Sequence, residues 1–337
     1  MINFILPFII SLGTVICIGP WFIRRMSAWQ RGGQPVRSDA PASHVAKAGT
    51  PTMGGLLLIG AAVAASLICM DWGNPLVWIV LAAAVSFGLV GAVDDYSKIR
   101  WRSAYRGLTA RGRLIIEFVL SCAVAGAVLY FMPSYLPPMS VGIPIINSVV
   151  SFGLFYFIFA YLVIAGAANA TNISDGMDGV LSKMILPVIA VLAIVAVGAA
   201  SGSYLDGAAF IPGALGLLPV FGAFAGAIFG FLWFNAAPAM IFMGDVGSLA
   251  LGAMAGTAAL ALKAEFVFAI AAMMMVIILA SSFLQTVYYK ITGRRIFRMS
   301  PLHHHFEQGG TAETKITARF AIMSVIFAII SLLVAMQ

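Results

Sequence analysis

The sequence predicts an all-α polytopic membrane protein of about ten transmembrane helices, with both termini on the outer side. Three observations carry that expectation. Of the 337 residues, 62% are hydrophobic and 9% charged, whereas a soluble domain carries roughly 25% charged residues. Apolar runs recur at about the 20 residues a helix needs to cross a bilayer. Eighteen of the nineteen Lys and Arg then fall in segments on one side of the resulting pattern. A mean hydropathy of +1.03 leaves too little polar surface for a water-facing fold. Residues 1–337 therefore read as a single membrane domain with no soluble module.

The elements follow in order. Residues 3–23 carry no charge, and Arg24 and Arg25 follow them, so this is a membrane span and not a cleaved signal peptide. Span 54–71 follows the Lys47–Gly55 loop, and span 76–93 stops at Asp94-Asp95. Span 114–132 opens after Arg111 and Arg113 and contains Glu117 near its inner end. The uncharged, Pro-rich segment 133–148 predicts a short interfacial hairpin. Spans 149–168 and 180–200 flank Asn169–Gly179, and spans 213–234 and 247–263 flank Asn235–Ser248. Span 266–288 leads into the last inner loop, 289–317, and span 318–336 closes the chain. The second, third and eighth spans are short or Gly/Ala-rich, so the pattern defines their ends least. Cys17, Cys69 and Cys122 fall inside spans and read as buried free thiols, neither paired nor metal-binding.

The positive-inside rule orients this pattern. The segments holding Arg24 to Lys47, Lys98 to Arg113, Lys183, and Lys290 to Arg319 lie inside, and Lys263 alone lies outside, with Asp71, Asp206 and Glu265. The net charge of +7 is thus explained by anionic membrane lipids at helix ends, with no nucleic acid partner implied. Transport is disfavoured: the spans lack ionisable groups at mid-depth, and no inverted repeat is visible. Any chemistry belongs at the inner face.

Three inner segments concentrate acidic residues: Asp94 and Asp95; Asp175 and Asp178, with Asn172 before them; and Asp245. Adjacent carboxylates at a helix C-terminus are electrostatically unfavourable and call for a cation, although a solvated polar stop is the plainer alternative. Asn172, Asp175 and Asp178, three apart, would line one helix face; the alternative is a helix start capped by Ser174 or Asp175. Asp245, beside Gly244, is the lone charge of its loop and could also serve as an N-cap. Oxygen-only donors without cysteine suit Mg²⁺ or Mn²⁺, so metal-assisted phosphoryl transfer fits. His303, His304 and His305 make a poor single chelate, because neighbours on a helix diverge by about 100°. One or two of them could touch phosphate or sugar.

The strings KAGTPTMGG, VDDYSK, NATNISDGMDG, NAAPAMIFMGDVGSL and MSPLHHHFE together resemble the polyprenyl-phosphate N-acetylhexosamine-1-phosphate transferases. TPTMGG and PLHHHFE are similar to the branch making the first lipid-linked intermediate of peptidoglycan. The resemblance implies transfer of phospho-N-acetylmuramoyl-pentapeptide from its UDP donor to undecaprenyl phosphate, with Mg²⁺, giving lipid I and UMP. It also implies a homodimer in the bacterial cytoplasmic (inner) membrane, both termini periplasmic and the site cytoplasmic. By the same resemblance Asp94, Asp95 and Asp245 are catalytic: Asp245 ligates magnesium, Asp94 is the candidate base and Asp95 supports it; the alternative is a two-step scheme with an aspartyl nucleophile such as Asp245. Lys47, Thr52, Lys98, Asn172, Asp175, Asp178 and Asn235 would bind substrate, Phe242 would stack on uracil, and His303, His304 and His305 would contact the muramoyl donor. The alternatives are a sister enzyme using UDP-N-acetylglucosamine, or a lipid or nucleotide-sugar transporter.

Overall fold

The computed structural model describes residues 2–30, 49–103, 106–132, 137, 139–144, 148–204 and 210–336. The apolar runs fold into α1 (Ile2–Gln30), α2 (Gly55–Cys69), α3 (Pro75–Arg100), α4 (Ala110–Phe131), α5 (Phe155–Ser174), α6 (Val180–Ser201), α7 (Leu218–Asn235) and α8 (Gly244–Ala261). They continue through α9 (Glu265–Ala271), α10 (Met273–Thr292), the short α11 (Leu302–Gln308) and α12 (Glu313–Ala335). Among the described residues, 9 helices are long and apolar enough to cross a membrane. The chain is thus a multi-pass, all-α membrane protein.

Two expected spans differ in detail. The second is α2, whose 15 residues reach only about 22 Å at the helical rise, short of a hydrocarbon core of about 30 Å. Leu58, Ala62 and Ala65 bury it within the protein. The ninth, expected as one helix over 266–288, is two, broken at Ala272. α9 packs on α12, whereas α10 turns away and packs on α5. Hydropathy misses this break because both halves are equally apolar.

α8 is the central helix. Its window is 89% buried, against 22% for α1, α4 and α12, which face outward. It owes that place to small side chains. A Cβ at Gly252 would collide with Ala167 O and Thr171 Oγ1 of α5, and one at Gly91 of α3 would collide with the Asp245 backbone. Glycine lets the backbones approach this closely. The cysteines are free, as expected, but not buried: Cys17 is exposed, and Cys69 and Cys122 are half-buried. Position within an apolar run does not say which side of a helix faces the bundle.

The 133–148 hairpin exists, shifted along the chain. β1 (Ser140–Ile143) pairs antiparallel with β2 (Ser148–Ser151), Ser140 opposite Ser151. It rests against the C-terminal end of α8. Lys263 there is buried at 1% exposure. Its Nζ donates to Ser140 O at 2.6 Å and lies 5.0 Å from the Tyr156 ring centroid. Tyr204 Oη donates to Lys263 O at 3.2 Å.

Candidate active site

The N-terminal end of α8 carries a different cluster. α3 does not stop at Asp94; it runs on to Arg100, so Asp94 and Lys98 sit one turn apart, with Lys98 Nζ 2.5 Å from Asp94 Oδ2. α8 opens at Gly244, whose φ of +76° only glycine adopts readily. A Cβ there would strike Asp95 Oδ2 and lie 2.8 Å from Thr52 Oγ1. Asp245, the next residue, forms no side-chain cap on α8. Its Oδ1 accepts from Asn172 Nδ2 at 2.9 Å, and its Oδ2 from Lys98 Nζ at 3.2 Å and Arg113 Nη1 at 3.3 Å. Asp94 Oδ1 accepts from the Leu108 amide at 2.6 Å, and Asp95 Oδ2 from the Val246 amide at 3.3 Å.

One oxygen each of Asp94, Asp95 and Asp245 lies within 4.8 Å of the others. The chain folds three carboxylates together from two helices whose ends meet at one level. Behind them, Arg113 Nε pairs with Glu117 Oε1 at 2.9 Å, and Arg113 Nη2 donates to Asn169 Oδ1 at 3.2 Å. Asn169 Nδ2 returns to Glu117 Oε2 at 2.6 Å. Glu117 is fully buried and holds the guanidinium aimed at Asp245. Four carboxylates therefore face two cations, Lys98 and Arg113, among the described residues.

The other sequence-predicted residues distribute around this cluster. Lys47 lies outside the described residues. Thr52 sits in an extended segment laddered to the approach of α8: the Phe242 amide donates to Pro51 O at 2.8 Å, the Gly54 amide to Phe242 O at 2.9 Å, and the Gly55 amide to Met243 O at 2.8 Å. Phe242 itself is half-buried. Asn235 is buried; its Nδ2 donates to Ile241 O at 2.9 Å, and its Oδ1 has no partner among the described residues.

Asn172, Asp175 and Asp178 do not share a helix face. α5 ends at Ser174, so Asn172 lies in its last turn, Asp175 follows its end, and Asp178 sits in the turn before α6. Gly179 at φ +67° reverses the chain there. Asp178 Oδ2 accepts from the Ala239 amide at 2.9 Å, and its own amide donates to Glu313 Oε1 at 2.8 Å. It thus ties two loops to α12. Burial, then the Asp245 and Asp178 charges, push the Asp175 carboxyl up to about 7, although it keeps partial exposure.

The three histidines have separate partners, although the His303 and His304 rings touch at 4.4 Å between centroids. His303 is buried against Gly176, where a Cβ would strike its imidazole. His304 Nδ1 is 2.8 Å from Glu307 Oε2, and His305 Nδ1 accepts from the Arg298 amide at 3.1 Å. The structure brings His303 to the 172–178 turn. Sequence reasoning passed over Arg113, Glu117 and Asn169 as site residues. Their signal was a carboxylate inside an apolar run, four residues after an arginine.

Comparisons with known proteins place the chain among relatives that match it over most of its length. The family described as glycosyl transferase family 4 matches residues 77–263. A phospho-N-acetylmuramoyl-pentapeptide-transferase signature matches residues 47–59. A protein of that name from Rhodopseudomonas palustris (strain BisA53) is 41% identical over 322 residues, 94% of this chain and 89% of its own. One from Rickettsia akari (strain Hartford) is 40% identical over 334 residues, 97% of this chain and 91% of its own.

Proposed function

The chain belongs to the phospho-N-acetylmuramoyl-pentapeptide-transferase family, within glycosyl transferase family 4, and from that premise we propose that it transfers phospho-N-acetylmuramoyl-pentapeptide from its UDP donor to undecaprenyl phosphate in peptidoglycan synthesis. An oxygen of the lipid phosphate forms a bond to the sugar-bearing phosphorus, the bond from that phosphorus to UMP breaks, and lipid I results. The observation that carries the reading is the charge imbalance: Asp94, Asp95, Asp245 and Glu117 against Lys98 and Arg113.

Two negative charges in excess, presented as oxygen donors without cysteine or histidine among them, fit Mg²⁺, which takes one or two carboxylates and completes its shell with water and phosphate. When bound, the ion neutralises the diphosphate so that two anionic reactants can approach. Asp245, held from three sides, would be its principal ligand, with Asp95 beside it. Asp94 would take the proton of the lipid phosphate; its Oδ1 is fixed by the Leu108 amide and its Oδ2 by Lys98. Lys98 and Arg113 stabilise charge on the departing UMP. Asn172, Asp175, Asn235, Phe242 and Lys47 would hold the nucleotide, and His303, His304 and His305 the muramoyl side. In this reading the protein is a homodimer in the bacterial inner membrane, with the carboxylates at the cytoplasmic surface where the basic segments gather.

The muramoyl signature over 47–59 favours this donor over UDP-N-acetylglucosamine. Purified protein, undecaprenyl phosphate and each UDP-sugar separate the two, with UMP release as readout. UMP from the muramoyl donor, abolished by chelation and restored by Mg²⁺, is the expected result. Turnover of the N-acetylglucosamine donor alone would reverse the assignment, and substrate crossing a vesicle without UMP would favour a transporter.

A further inference from the structure

Gln30 is the last residue of α1 and is 6% exposed. Its side-chain amide touches Met26 Sδ one turn back at 3.9 Å and pairs with one distant peptide. Nε2 donates to Thr52 O at 2.9 Å, and the Thr52 amide donates to Gln30 Oε1 at 2.9 Å. The orientation of the amide follows from this pairing, since the flipped form would set donor against donor and acceptor against acceptor. No other neutral side chain of similar shape except asparagine, one methylene too short, both donates and accepts across such an edge.

The peptide so held carries a hydroxyl that lies beside Gly244. Thr52 is 1% exposed, and its Oγ1 has no partner among the described residues. Buried hydroxyls are nearly always paired, so this one has a hydrogen bond left to give in the wall of the carboxylate site. Thr52 Oγ1 borders the position where a Cβ on Gly244 would also meet Asp95 Oδ2; it therefore lies between Asp95 and the Gly244 backbone, one residue before Asp245. The opposite edge of the same segment is laddered to Phe242 and Met243. Segment 51–55 is thus clamped between Gln30 on one side and the approach to Asp245 on the other.

We propose that Gln30 is a positioning residue for the transfer: by holding the Thr52 peptide it aims the Thr52 hydroxyl at the diphosphate passing between Asp95 and Asp245. This rests on the proposed function above. Because Gln30 itself touches no reactant, it acts on the geometry of the transition state more than on donor binding. A misplacement of about 1 Å at such a site costs roughly 10²-fold in rate.

The test compares Gln30→Met, Thr52→Ala and the double variant in full-length purified protein. UMP release gives kcat and KM, and hydrogen exchange follows the amides of 51–55. Gln30→Met is expected to lower kcat roughly 10²-fold with KM for the donor little changed, and to speed exchange of the Thr52 amide. Thr52→Ala should lower kcat without altering that exchange, and the double variant should be no slower than Thr52→Ala. Wild-type kcat in Gln30→Met, or single effects that multiply in the double variant, overturns the proposal. Should Gln30→Met not yield folded protein, Gln30→Glu, which keeps the acceptor and loses the donor, decides by the same readouts. An inactive wild type would instead sink the functional reading, and the exchange data would still test the clamp.

Discussion

The two ends of α8 both bury charge, and they do so differently. At its C-terminal end one cation, Lys263, and one carboxylate, Glu265, lie sealed beneath the hairpin at 1% and 2% exposure, with Lys263 Nζ spent on Ser140 O. At its N-terminal end four carboxylates stand against two cations, and Asp245 keeps 18% of its side chain accessible. The first end is balanced and closed; the second is short of positive charge and open. Burial of an ionisable group therefore does not by itself mark chemistry in this protein. The unmet charge does, because it can be satisfied only by something the chain does not contain.

The comparison can be broken most directly at the open end. Asp94→Asn, Asp95→Asn or Asp245→Asn should each lower UMP release by roughly 10³-fold or more in protein that still folds. Wild-type-like rates in all three would mean that the imbalance is not functional. Next in size, Arg113→Met leaves Glu117 buried without its cation. Removing one partner of a buried pair costs about 3 kcal/mol, and loss of the guanidinium at Asp245 should lower kcat as well, so both melting temperature and turnover should fall.

The closed end should respond on one axis alone. Lys263→Met removes the bond to Ser140 O and should cost about 2 kcal/mol, the range for a charged hydrogen bond, read as a lower melting temperature. The kcat of the folded fraction should stay within a few-fold of wild type. A loss of turnover matching that of Asp245→Asn would erase the distinction between the ends.

The smallest effect is in pH. The Asp175 carboxyl titrates at about 7 in the folded chain against an ordinary aspartate value of 3.8. The folded chain holds this proton more tightly than the unfolded chain does, so the contribution of Asp175 to stability is greatest below about pH 4 and declines as pH rises toward 7. Asp175→Asn should flatten that slope in melting temperature between pH 5 and 7 measured without added metal; an unchanged slope would assign it elsewhere.

Much of this was legible before any coordinates. Helices such as α6 and α12 declare themselves by length and apolarity, since a bilayer accepts little else. Asp94, Asp95 and Asp245 stood out because carboxylates are costly beside apolar spans and need a reason to be there. The break at Ala272 was not legible, because a change of direction leaves hydropathy untouched. The common face expected of Asn172, Asp175 and Asp178 failed because helical spacing has no meaning past Ser174, where α5 stops. Glu117 was visible as an anomaly, but its role required knowing that Asn169, 52 residues away, would meet it.

The sequence alone determined that this chain lives in a membrane, how many apolar runs it has, and which residue types gather at one end. Those properties are local sums of transfer free energy and charge. Tertiary structure decided which carboxylates meet, that Arg113 serves Asp245 while Lys263 serves a hairpin, and that Gln30 reaches Thr52. Such pairings depend on how closely helices approach, and here that distance is set by glycines in α3 and α8 whose effect appears only when the partner helix is in place.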